Sequence, residues 1–365
     1  MAPGEQMGGE THGIGWGARN YHPGTIAGDQ TDYGEYNVLV LEHLADVSSS
    51  SSNSKNNRND NKSFDIEAFI PHWQKRLTNG SWKQWVCTQT KQTYQQIQER
   101  NMAVDDLGGN SNAMSLRFAA VYAMYDTEEL IVDAARKVMF THRERTAMLG
   151  NEFFARTVFR IVYSHTPLSS NVLRTIFMDV ARDMNDPWIT QKVQQALDKY
   201  DEASDTKSSL YREGGEYVDD LALTSMARLW DVGKSEPIKV GKASPTEGTL
   251  PGALYFVLKY YDDDNDNSIN KKSGVSDSGN SSLMMAAKAN AMVGGDNASR
   301  SIAIGMVLGA VEGVNAIPIE YQTGLNHWDH SKALLETLPI LRIQQQQESL
   351  TDDGSGNRKK NNKEL

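Results

Sequence analysis

An all-α bundle is the fold class this sequence predicts. Three observations lead there. Apolar residues recur at spacings of three and four, strict alternation over a strand length is hard to find, and only 10 prolines are spread over 365 residues. Few of those prolines interrupt the periodic runs. Helices with one apolar face pack on one another, and an orthogonal helical bundle is the natural architecture.

The elements follow in order. After Tyr36, residues Val40, Leu41, Leu44 and Val47 share one helical face. Trp82, Trp85 and Cys87 read as one amphipathic helix, in which Cys87 is a small buried hydrophobe rather than a nucleophile. Asp126, Thr127 and Glu129 supply N-cap and capping-box chemistry. Leu130, Ile131, Ala134, Ala135 and Val138 then form a stripe. Phe153, Phe154, Val158, Phe159 and Val162 continue the helical period. In the helix after Gly295, Ser301, Gly305, Gly309 and Gly313 recur every four residues. That small-residue stripe predicts close approach of another backbone and a place in the middle of the bundle.

Composition sets the limits. Hydrophobic residues make up 39% of the chain, and polar inserts account for the low value. Residues 48–63 and 262–282 read as enlarged polar loops, and 1–17 and 344–365 as flexible termini, because they hold too few aliphatic residues to offset their ordering entropy. One domain, 18–343, remains, with no internal repeat. The net charge of −10 argues against a nucleic-acid surface, which needs a basic face. No stretch reads as a membrane span, and residues 1–17 contain no apolar signal core. Cys87 is the one cysteine, so no intramolecular disulfide forms, and a cytoplasmic location fits best.

Several segments carry candidate chemistry. Thr31 and Asp32 precede the first helix, and their hard oxygens suit Mg²⁺. Asp32-x-x-Glu35 also reads as a capping box, and spacing alone favours the cap. Gly294-Gly295-Asp296 opens a later helix, where Asp296 and Ser299 can face a metal or Asp296 can act as N-cap. The Gly108–Asn112 turn presents backbone N–H groups that can cradle a phosphate. His142, after Thr141, can contact a ribose or phosphate, or cap a helix end. His327 and His330 stand three apart, without an evident third ligand. No nucleophile elbow, P-loop or dinucleotide fingerprint is present.

Taken in order, these segments resemble the ADP-ribosylglycohydrolase family. Thr31-Asp32 matches the start of that family's Thr-Asp-Asp motif. Asn112 to Arg117, then Thr141-His142, match its middle segments, and Leu250 to Tyr255 is similar to a Leu-Pro-Ala-Ala-Leu-Tyr segment. Gly294-Gly295-Asp296 matches the closing Gly-Gly-Asp-Thr-Asp-Thr motif, with Ile302 to Gly313 as its helix. The resemblance covers 28–341. It implies an all-helical fold, one or two Mg²⁺ ions held by Thr31, Asp32, Asp296 and Ser299, and substrate contacts from Asn112 and His142. It further implies an ADP-ribose-type small molecule or ADP-ribosylated protein as partner, with hydrolysis of the glycosidic linkage.

The departures are specific. Tyr33 stands at the second Asp of the opening motif and Ala298 at the second Asp of the closing one, so two metal carboxylates are missing. The family's usual first helix, with Gly-Asp-Ala-Leu-Gly, is not found, and the chain reads as beginning after it. The pattern is most similar to the branch containing the J1 crystallins and selenoprotein J, which includes lens structural proteins. Three readings follow: a hydrolase with a degenerate metal site, a non-catalytic structural or ADP-ribose-binding protein, and the same fold with a different reaction. In the second, Tyr33 fills a vacated metal position and Arg300 replaces a lost metal charge.

Overall fold

The computed structural model describes residues 25–52, 63–205, 207, 244–261, 281–293 and 296–344. Its helices are α1 (Asp32–Ser52), α2 (Ile66–Thr78), α3 (Thr88–Arg100), α4 (Glu128–Val138), α5 (Arg145–Val162) and α6 (Ser170–Asp183). They continue with α7 (Pro187–Ser204), α8 (Thr246–Tyr260), α9 (Ser282–Val293), α10 (Asn297–Glu312), α11 (Ile319–Gly324) and α12 (Trp328–Leu335). No strand occurs among the described residues; a single bridge joins Ala113 to Pro245. The all-α expectation holds. The proposed termini 1–17 and 345–365, and most of the 262–282 insert, lie outside the described residues.

Local chemistry fixes the helix starts. Thr127 caps α4 through its side chain, which accepts from the Leu130 N–H at 3.3 Å. Asp65, Ser169 and Asp186 do the same for α2, α6 and α7. The apolar stripe of α4 is buried as the spacing requires, through Ile131, Ala134, Ala135 and Val138. In α5, Phe153, Phe154 and Val158 are buried, whereas Val162 is half exposed at the helix end.

Helix α8 is the central one. Nearly every residue from Thr246 to Leu258 is buried, and an apolar surface on all sides needs neighbours on all sides. It packs on α5, α7, α9 and α10. A second focus of packing is aromatic. His43 of α1 meets the rings of Phe64, Phe69 and His72 edge-on at 5.6, 5.2 and 5.2 Å, and Phe140 closes the cluster over Trp73 at 5.0 Å.

Four sequence expectations change. Residues 48–52 are helical, because Ser48 is buried and its hydroxyl donates to the Thr337 carbonyl at 3.1 Å. The polar insert therefore starts later than 48. The Gly305–Gly309 stripe does not receive a neighbouring backbone: a Cβ built on either glycine meets nothing within 4 Å among the described residues. Helix α10 packs instead through Ala303, Ile304, Val307 and Leu308, and so buries one face only. Trp82 and Trp85 precede α3 rather than lie in it, because Cys87 is its N-cap. Finally, Asp32 is the first residue of α1, and Thr31 makes the capping contact, accepting from the Gly34 N–H at 3.4 Å. Glu35 turns away to pair with Arg76 at 3.1 Å.

Candidate functional site at three helix entries

The starts of α1, α3 and α10 meet in one polar centre. The Tyr33 hydroxyl of α1 donates to Asp296 Oδ2, at the entry of α10, at 2.8 Å. The Tyr36 hydroxyl, one turn on, sits 3.1 Å from Thr90 Oγ1 in the first turn of α3. Three N-terminal ends of helix dipoles thus converge, each slightly positive.

Arg117 is the hub. It lies on the segment 114–118, outside any helix, which Asn37 pins to α1. The Asn37 amide donates to the carbonyls of Tyr33 and Leu116, both at 3.0 Å, and accepts from the Ala119 N–H at 3.0 Å. The buried guanidinium donates to Ser115 Oγ at 2.8 Å and Thr141 Oγ1 at 2.5 Å, and reaches His142 Nδ1 at 3.4 Å. It also stacks 3.7 Å over the Tyr36 ring. Among the described residues no carboxylate forms an ion pair with it within 4.0 Å. Its charge nevertheless acts on Asp32.

The titrating groups respond to burial first. Burial and then the charge of Asp296 push the Asp32 carboxyl up to about 7, with Arg117 opposing. Burial, Asp296 and Asp32 raise Tyr33 well above the usual phenol range, so its hydroxyl stays a donor. Burial and then the Arg117 cation hold His142 well below the usual imidazole range, so the ring is neutral.

The residues singled out by sequence separate here. Thr31, Asp32, Asp296 and Ser299 come together at the α1 and α10 entries, and His142 stands behind Arg117. Gly294 and Gly295 lie outside the described residues. Asn112 acts through its backbone: its carbonyl accepts from the N–H and hydroxyl of Thr246 at 2.8 and 2.9 Å, which locks the start of α8. The Gly108 N–H, offered as a phosphate donor, is taken by Gln96 Oε1 at 3.1 Å. His330 turns to Glu42 at 3.1 Å, away from a shared metal with His327. Sequence reasoning missed Arg117, Tyr36 and Thr90 as members of the centre and placed Cys87 in a helix interior. The signal for Cys87 was its own neighbourhood: a Cys followed by Thr-Gln-Thr at a helix start can serve as a cap.

The four proposed Mg²⁺ ligands do not fit a two-ion centre. Both Asp296 oxygens are committed, Oδ2 to Tyr33 and Oδ1 to the Ser299 N–H at 3.1 Å. Thus the N-cap reading of Asp296 holds. Ser299 Oγ donates to the Asp296 carbonyl at 3.2 Å. Among the described residues no three His, Cys, Asp or Glu side chains gather into a cation site. Two carboxylates with a phenol between them cannot balance two divalent charges. Arg300, the other cation at this end of α10, is fully buried and donates from Nε to Asn290 Oδ1 at 2.7 Å.

A broad concavity of about 1170 Å³ lies elsewhere, beside α6 and α7, lined by Arg182, Asp186, Lys192 and Glu247 among others. None of the residues of the polar centre lines it. The buried and perturbed groups select the helix entries rather than this groove.

An all-helical bundle with a polar centre at converging helix entries is a class that the comparisons make specific. The model of the ADP-ribosylglycohydrolase family matches residues 2–349, and the chain belongs to that family. Among solved structures, a chain from an "ADP-ribosylglycohydrolase-related protein complex" is similar at a TM-score of 0.51 and 15% identity, covering 87% of this chain and 82% of that one. This likeness is one of fold. A search of curated proteins returns no match. No helix among the described residues is long and apolar enough to cross a membrane.

Proposed function

We propose that this chain binds an ADP-ribosyl group at the three helix entries and hydrolyses its glycosidic linkage with side chains in place of a two-ion centre. The observation that carries this is the carboxylate pair. Asp32 and Asp296 sit together at the α1 and α10 entries, and the charge of Asp296 helps raise Asp32, the kind of carboxylate pair that acid–base cleavage of a glycosidic bond uses. Asp296 is fixed as an acceptor by the Tyr33 hydroxyl and the Ser299 N–H. Asp32, whose carboxyl burial and Asp296 raise to about 7, is the group that exchanges a proton with water or the leaving atom. The converging helix N-termini and Arg117 supply positive potential for an anionic pyrophosphate. His142, fixed from behind by Arg117 and Thr141, lines the same centre.

A second reading is favoured by the Tyr33–Asp296 bond. The phenol occupies the place of a metal carboxylate in the resemblance and holds the one fully committed acid. On that reading the chain keeps the ligand and has lost the reaction.

Two measurements separate the readings. Thermal unfolding is followed with ADP-ribose, with and without Mg²⁺. Release of ADP-ribose from a mono-ADP-ribosylated protein is followed in a chelator. A rise in Tm with ADP-ribose alone, with release that Asp32→Asn abolishes, supports hydrolysis. A rise without release leaves the binding protein. No rise under any condition sinks both.

A further inference from the structure

Asn79-Gly80 is the one Asn-Gly pair in the chain. Both residues, and Ser81 after them, are exposed at the C-terminal end of α2. Asn79 is the C-cap of that helix, and Gly80 follows at φ +78°, the left-handed region that glycine enters freely. Three features prepare this pair for a reaction between its own atoms. The Gly80 N–H has no hydrogen-bond partner among the described residues. A Cβ built on Gly80 meets nothing within 4 Å, so the residue has room to turn. The Asn79 side-chain carbonyl accepts two hydrogen bonds, from the Ser81 N–H at 2.9 Å and from the Ser81 hydroxyl at 2.6 Å.

Those two bonds fold the carboxamide back along residues 79–81 and draw electron density from its carbon. Donors aimed at a carbonyl oxygen stabilise the negative charge it gains when a nucleophile adds. Ring closure between Asn79 Cγ and the Gly80 nitrogen requires the Asn79 Cα–C bond to turn away from its ψ of 4°. The chain permits that turn. Residues 80–84 make no backbone-to-backbone hydrogen bond among the described residues, and Gly80 takes up most backbone conformations without a clash. The same segment leads to the polar centre. Trp82 packs edge-on against the Tyr36 ring at 4.8 Å, and Arg117 stacks on that ring at 3.7 Å.

We propose that Asn79-Gly80 is a site of spontaneous deamidation in the folded chain, with water as co-reactant, and that its product loosens the packing of Trp82 on the polar centre. Hydroxide takes the Gly80 amide proton. The nitrogen attacks Asn79 Cγ, a new C–N bond closes a five-membered imide, and the side-chain nitrogen leaves with a proton as ammonia. Water then opens the imide at either carbonyl. Opening at Cγ gives aspartate. Opening at the backbone carbonyl gives isoaspartate, in which the main chain runs through the side-chain carbon. Nothing is oxidised or reduced. Each product adds a carboxylate at the negative end of the α2 dipole. Isoaspartate also lengthens the main chain by one carbon, three residues before Trp82. The inference does not depend on the ADP-ribosyl reading.

The test incubates the full native chain on both sides of neutral pH and follows Asn79 and Asn110 by peptide mass after digestion. Asn110 is the comparison because it is exposed too, but precedes Ser111 instead of a glycine. Conversion at Asn79 is expected to run at least about tenfold faster than at Asn110, a barrier lower by about 1.4 kcal/mol. It should rise with pH, because the attacking amide must lose its proton. Ser81→Val keeps the N–H but loses the hydroxyl and slows conversion; Ser81→Thr restores the rate. Asn79→Gln gives no product at that position. The converted chain is expected to unfold at a lower temperature than the fresh chain and than Asn79→Asp, which carries the charge without the longer main chain. In Trp82→Ala the difference between converted and fresh chains should shrink, since the contact it acts through is gone. Equal rates at Asn79 and Asn110 overturn the site. A Ser81→Val chain that converts no more slowly overturns the role of the two Ser81 donors. A converted chain with the Tm of the fresh one, or a Tm loss that Trp82→Ala leaves unchanged, overturns the link to the polar centre.

Discussion

Two arginine-centred regions of this molecule use the same side chain in opposite ways. On the α4–α5 face, Arg136, Arg156 and Arg160 meet Glu128 and Glu152. Arg156 bridges both acids, at 2.6 and 2.7 Å, Arg136 pairs with Glu152, and Arg160 reaches Glu128 at 3.3 Å and Asp183 at 2.7 Å. Every cation there has an acid, and the cations are partly exposed. In the polar centre, Arg117 is buried and spends its donors on two hydroxyls, an imidazole and a ring face. The first region is self-contained and ties helices together. The second directs charge at Asp32 and His142, where α1, α3 and α10 begin. Charges neutralised by charges build structure; a buried charge met by neutral acceptors perturbs its neighbours.

The largest effect should break the second region. Arg117→Met removes the hub and leaves Thr141, His142 and Asp32 without their donor or counter-charge. A loss of about 3 kcal/mol or more is expected in urea unfolding, the range for a buried charge's interactions left unmatched. A loss below about 1 kcal/mol would show that Arg117 is no more than a surface-type cation and would dissolve the contrast. The next test adds charge. Tyr33→Asp with Ala298→Asp restores both missing carboxylates. Mg²⁺ should then raise Tm where it does not in the parent chain, by an amount worth about 2.7 kcal/mol at a hundredfold excess over Kd. If the parent chain is stabilised by Mg²⁺ to the same degree, the existing donors already hold the ion.

The α4–α5 network should respond less and differently. Glu152→Gln is expected to cost about 1 kcal/mol, and high salt should reduce the difference, since the pairs are partly solvated. A pH effect of comparable size tests the aromatic cluster. Burial, and then the neighbouring His72, hold the His43 imidazole down to about 4 from 6.5. The folded state thus binds fewer protons than the unfolded state between these values. Stability is full above about 6.5 and falls as pH drops toward 4, by about 1–2 kcal/mol after solvent screening. His43→Phe should flatten that slope in denaturation curves taken across the window. Smallest is the cap: Thr127→Ala should cost about 1 kcal/mol with no change in salt or pH dependence.

The sequence by itself determined the fold class and much of the site's vocabulary. Helical period, cap residues and the apolar stripe of α4 are local properties, because a helix is made of contacts three and four residues apart. Thr31, Asp32, Asp296 and His142 were legible as residues that a family resemblance puts to use. The Tyr33 and Ala298 departures were legible too. Tertiary structure alone decided which oxygen caps which helix, since Thr31 as well as Asp32 meets the first amides of α1 while Glu35 turns to Arg76. It also left the glycine face of α10 without a close neighbour among the described residues and put α8 at the centre. Above all, it assembled Trp73, Tyr36, Thr90, Cys87, His142, Thr141 and Arg117, spread over the chain from Tyr36 to His142, into one hydrogen-bonded cluster. Hydrogen-bond direction depends on which groups meet across helices, and no periodicity within one helix encodes that meeting.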